Sequence, residues 1–154
     1  MQYNYDFEIA SLLIMTIILL HFVFVRQFPG EKTRVFGWLL FVCEAECLMN
    51  ILSCVGLANA ALVPQRLNEV LAFAFFVLEG ASSYLIYRYF MAACALRGRE
   101  RTVFAAAGMI PFAVFLVLVA VTPVTGFFYY FRDGSYYRGV GADYGYAYIV
   151  IFFL

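Results

Sequence analysis

The chain has 154 residues, 66% of them hydrophobic and 13% charged, with ten basic side chains against ten acidic ones. Soluble domains carry about 45–50% apolar and about 25% charged residues, and a chain this short cannot build a core that hides so much apolar surface from water. An ordinary soluble domain is excluded, lipid is the expected partner of the excess apolar surface, and zero net charge leaves no overall field to attract nucleic acid.

The opening MQYNYDFE has no Lys or Arg, and no small-residue cleavage site ends the apolar run that follows. This run therefore reads as retained rather than as a removed signal peptide. A spanning helix needs about 20 mainly apolar residues. Four stretches meet that length, at 9–25, 35–57, 70–94 and 103–122. A fifth starts near Tyr144 and reaches Leu154; as a helix it rises only about 16 Å. Residues 1–154 are thus expected to be the N-terminal part of a larger membrane domain. The expected fold is all-α, a polytopic transmembrane bundle.

The connectors carry the orientation signal. Arg26, Lys32 and Arg34 follow the first stretch, and Arg97, Arg99 and Arg101 follow the third. The other side has Arg66, Arg132 and Arg138. The positive-inside bias then predicts an outside N-terminus and an inward-running fifth helix. Pro29-Gly30 and Pro64 punctuate two connectors, and Pro123 is expected to end the fourth helix. Pro111, inside that helix, is expected to kink it.

Charged groups at mid-bilayer cost at least about 2.5 kcal/mol each, so they face protein or water. In the second stretch, Glu46, Asn50, Cys43, Cys54 and Cys47 fall within one stripe about 100° wide, and Glu44 lies about 60° beyond its edge. In the third, Glu79, Ser82 and Ser83 share a face, with Glu79 at about the depth of Asn50. A Glu46–Asn50–Glu79 polar centre follows. Arg88 points away from Glu79, reading either as a snorkelling side chain or as a partner of Glu44. Three readings stand for the acids: hydrogen-bonded ties between helices, a proton or cation path, or contacts to a ligand's polar group. The four cysteines lie in apolar runs and read as small interior residues. His21 is the only histidine, and no metal-ligand spacing, phosphate loop or nucleophile elbow occurs. No catalytic residue, metal or other cofactor is expected.

The second outer connector contains FFYYFRDGSYYRG. Asp133-Gly134 is a two-residue hairpin signal, since both turn positions require positive φ. Pairing about it sets Phe131 opposite Tyr136, Tyr130 opposite Tyr137, and Tyr129 opposite Arg138. Arg138 then shares a face with Tyr129, Phe131 and Tyr136, a cation–π arrangement. A lone hairpin is marginal in water, so this extracellular aromatic ribbon is expected to lie over the outer end of the bundle. It reads equally as an interfacial belt and as a ligand lid.

Residues 122–139 resemble the outer loop of a bacterial N-terminal seven-helix membrane sensor region, which precedes histidine kinase or GGDEF-type diguanylate cyclase domains. That loop reads Pro-x-Thr-Gly, a Phe/Tyr run, an acidic-Gly turn, then an aromatic and Arg-Gly. The matching residues are Pro123, Thr125, Gly126, Phe127, Phe128, Tyr130, Phe131, Asp133, Gly134, Tyr136, Arg138 and Gly139. Val140 stands where the family often has proline. The opening YNYDFEIASLLI also resembles the start of such cyclases.

The resemblance implies a sensor in the bacterial cytoplasmic membrane that relays an outer stimulus or small ligand to a cytoplasmic output domain. That domain is expected to be a diguanylate cyclase ahead of a histidine kinase, with homodimerisation through it. The candidate ligand-binding residues are Tyr129, Phe131, Tyr136 and Arg138 in the lid, with Glu46, Asn50 and Glu79 below. Two rivals remain. One is a fragment of a transporter or proton-coupled permease using Glu44, Glu46 and Glu79; the other is a structural anchor.

Overall fold

The computed structural model describes residues 6–25, 30–59, 62–94, 96, 98–132 and 135–143. With no water in the hydrocarbon layer, each backbone N–H and C=O must be satisfied within the chain, and a helix does this locally. The apolar runs accordingly fold as α1 (Asp6–Phe24), α2 (Glu31–Ala58), α3 (Gln65–Ala93) and α4 (Gly98–Thr125). All four are long and apolar enough to cross a membrane.

The helices overrun most of their expected borders. α2, α3 and α4 each begin four or five residues earlier than hydropathy suggests, because hydropathy marks solvent preference whereas a helix continues until a breaker stops it. Pro64 sits at the N-cap of α3, and Gly30, in extended conformation, at that of α2. Pro123 does not end α4, as expected, but lies inside its last turn. Gly126 closes the helix instead, with φ +67° and its N–H bonded to the Thr122 carbonyl at 2.7 Å. A left-handed glycine is the ordinary way to satisfy the last carbonyls. Pro111 also lies within α4, which continues past it.

Neighbours in sequence are neighbours in space. α1 packs on α2, α2 on α3, and α3 on α4. α1 stands at one flank with none of its apolar window buried. Between α3 and α4, two glycines let side chains reach the opposite backbone. Phe115 of α4 fills the space beside Gly80, and Tyr87 of α3 fills the space beside Gly108. Small residues of this kind set close approach in membranes, where apolar burial alone gives no drive for helices to associate.

Beyond α4 the chain forms a two-stranded antiparallel hairpin, β1 (Tyr129–Arg132) and β2 (Ser135–Arg138). Its register is the predicted one: Tyr129 faces Arg138, Tyr130 faces Tyr137, and Phe131 faces Tyr136. The Asp133-Gly134 pair and the expected fifth helix from Tyr144 lie outside the described residues. Gly139 N–H to the Phe128 carbonyl (2.8 Å) and Gly141 N–H to the Phe127 carbonyl (2.7 Å) continue the pairing toward the strand ends.

A marginal ribbon becomes a fixed element by burying one face. β1 packs on both α3 and α4, and Phe128 and Tyr129 are each only 2% exposed. Phe76 of α3 stacks on Phe128 at 5.1 Å and on Tyr129 at 5.6 Å, while Phe115 of α4 meets Phe128 at 5.1 Å. With Ala72 and Val119 these residues form the main core cluster, at the hairpin end of the helices. The other face of the ribbon carries Tyr130 stacked on Tyr137 at 5.3 Å, both exposed.

Candidate functional site

The site lies where the aromatic ribbon meets the α2–α3 seam. Tyr136 stands on the buried side of the ribbon, stacked on Tyr129 at 6.3 Å and edge-on to Phe131 at 5.7 Å. Beneath it is a cavity of about 150 Å³ between α2 and α3, roughly five times one water's share of liquid volume. Asn50, Ser53 and Cys54 form its polar wall, Phe75 and Phe76 its aromatic wall, and Tyr136 its roof. The pairing of one apolar wall with a few hydrogen-bonding groups is the usual chemistry of a small-molecule site.

The expected Glu46–Asn50–Glu79 centre is present in part. Glu46 lies near Ser82 across the α2–α3 seam, and Glu79 lies close enough to feel the charges of both Glu46 and Arg138. Ser82 and Ser83 are buried and donate to the Glu79 carbonyl at 3.0 Å each, which returns their hydroxyls to their own helix. Asn50 instead turns toward α1: its amide donates to Glu8 at 3.2 Å, and its carbonyl oxygen receives the Cys54 thiol at 4.0 Å. Asn50 thus serves the cavity wall and the α1–α2 seam together.

Arg138 joins the lid to this centre. Its guanidinium pairs with Asp143 at 3.2 Å and bonds the Ala142 carbonyl at 3.4 Å, while remaining within electrostatic reach of Glu79. Tyr129 is anchored the other way. Its hydroxyl donates to the Glu69 carbonyl of α3 at 3.3 Å. Burial, then the charges of Glu69 and Tyr136, push its phenol up to about 12.

Two acids have partners other than those expected. Glu44, placed beyond the edge of the polar stripe, accepts a short hydrogen bond from Thr16 of α1; it is not the partner of Arg88. Arg88 pairs with Glu31 at 3.4 Å and bonds the Tyr84 hydroxyl, and Arg101 grips both oxygens of the same Glu31 at 2.6 and 2.7 Å. Arg88 therefore does not reach Glu44, because Glu31 enters the same layer from the first turn of α2. Sequence reasoning missed Glu8 and Thr16. Their one signal is a separation of about 80° around α1, which puts both polar groups on the side that meets α2.

Among the described residues no group of His, Cys, Asp and Glu is arranged to hold a metal ion. Comparison with known proteins gives no match: no family model, no curated protein and no solved structure aligns with the chain.

Proposed function

We propose that the chain is the sensing part of a membrane signalling protein, in which a small ligand or physical stimulus acts on the ribbon and the cavity below it. The observation that carries this reading is the roofing of the Asn50–Cys54–Phe76 cavity by Tyr136, on a ribbon anchored to α3 and α4. A ligand can drive a change only through different affinity for two arrangements of the bundle. Occupancy of this cavity bears on the position of Tyr136, and through the ribbon on Phe128 and the α3–α4 packing. The resemblance of residues 122–139 to bacterial seven-helix sensor regions supports an output domain on the cytoplasmic side, a diguanylate cyclase ahead of a histidine kinase. The cytoplasmic membrane and an outside N-terminus are part of the same proposal.

The test is cyclic di-GMP output of the full-length protein in cells, for Tyr136→Ala, Arg138→Ala and Glu46→Gln at matched membrane abundance. Altered basal output or altered response to stimulus is expected in each. Output identical to the parent in all three would remove the cavity and the lid from the mechanism.

A second reading, a proton-coupled permease, draws on one observation. Glu8 Oε2 and Glu44 Oε2 are buried with no hydrogen-bond partner among the described residues, a costly state that a translocated proton would relieve. Proteoliposome flux lost on Glu44→Gln would favour it.

A further inference from the structure

At the end of the bundle away from the ribbon, α2 begins, α3 ends and α4 begins, so three helix ends meet in one layer. A cavity of about 180 Å³ lies there, lined by Glu31, Arg88, Met91, Ala92, Leu96 and Arg101 among others. Its charge is unbalanced: two guanidiniums share the single carboxylate of Glu31. The described residues of this layer add Lys32, Arg34 and Arg99 against Glu100. Each guanidinium has five N–H donors in a fixed fork. Arg101 uses one nitrogen on Glu31, and Arg88 makes two long contacts of 3.4 Å each, to Glu31 and the Tyr84 hydroxyl. Among the described residues, most of the donor capacity beside the cavity is therefore unspent.

The cavity has apolar lining as well, from Met91, Ala92 and Leu96, and it lies among the ends of three helices long and apolar enough to cross a membrane. Two forked cations at one site match the tetrahedral oxygens of phosphate better than point charges would. Basic pockets between the ends of spanning helices suit anionic headgroups. We infer that the Arg88–Arg101–Glu31 cavity is an anion site for a phosphate group, either the phosphodiester of an anionic lipid or free phosphate. Glu31 holds the two guanidiniums side by side and shares them with the incoming phosphate.

The purified full chain in detergent is titrated with phosphatidylglycerol, with phosphatidylcholine and with inorganic phosphate, read by native mass spectrometry for the lipids and calorimetry for phosphate. Binding of phosphatidylglycerol or inorganic phosphate is expected, weakened about tenfold or more by Arg88→Gln and by Arg101→Gln. Arg101→Lys is expected to fall between, since it keeps the charge and loses the fork. Phosphatidylglycerol binding without phosphate binding assigns the lipid as the source; the reverse assigns a soluble anion. Retained or tighter binding in Glu31→Gln supports the shared-cation arrangement, and loss of binding there overturns it. The inference also fails if neither probe binds, if phosphatidylcholine binds as well as phosphatidylglycerol, or if Arg101→Gln binds like the parent. Arg101 is half exposed, so that variant decides the matter should Arg88→Gln not fold.

Discussion

Tyr129 shows how much one side chain carries. Its ring is sealed against Phe76 while its hydroxyl spans to the Glu69 carbonyl. Tyr129→Phe keeps the packing and removes the hydrogen bond, so it should cost about 1 kcal/mol in detergent-solubilised thermal unfolding. The raised phenol pKa has a definite sign in stability. The neutral form is favoured in the folded state, so its contribution is whole below the ordinary tyrosine value of 10.0 and is lost as pH rises through about 12. Tyrosinate difference absorbance should therefore show a late step near the top of the titration, and Tyr129→Phe should diminish it. None of this is legible in the sequence. The tyrosine is visible there, but its acceptor lies sixty residues away on α3 and is a backbone carbonyl, which carries no signature.

The hairpin is the element whose local chemistry and tertiary setting agree most closely. Its register follows from the Asp-Gly position alone, since a two-residue loop leaves one pairing for the flanking residues. The face packed against the helices is the one that strand alternation groups, with Tyr129, Phe131 and Tyr136 turned to the core, but one core residue escaped it. Phe128, one residue before β1, became a main plug between α3 and α4, outside the group Tyr129, Phe131, Tyr136 and Arg138 chosen from strand alternation. Phe128→Ala should cost about 3–5 kcal/mol, read as a lowered unfolding temperature. Gly126→Ala forces a side chain into a left-handed conformation and should cost about 1–2 kcal/mol by the same measurement. For α4, a rule about proline misplaced the end. Pro123 lies in the last turn, and the left-handed Gly126 makes the stop.

At the scale of the molecule, four helices follow one another in space and the ribbon seals one end. The two ends differ in chemistry. The ribbon end is aromatic and tightly packed, and the other gathers arginines around Glu31. The orientation proposed from the connector charges has a direct check. In a cysteine-free background, Ser135→Cys on intact cells should react with a membrane-impermeant maleimide, and Arg34→Cys should react only after permeabilisation. The opposite pattern would invert the topology and end the reading of the ribbon as an outer lid.

The presence of helices long and apolar enough to cross a membrane, the count of described helices and the strand register were set by the chain's own order, because each depends on residues close together in sequence: an apolar run, a breaker, a turn pair. Which acid meets which partner was decided by the tertiary structure alone. Glu44 finds Thr16, Asn50 finds Glu8, and Arg88 shares Glu31 with Arg101. Helical periodicity gives the angle of a side chain about its own axis, but a contact also needs the rotation and axial offset of the neighbouring helix. Those are set by how bulky and small residues interlock, as Phe115 does with Gly80 and Tyr87 with Gly108.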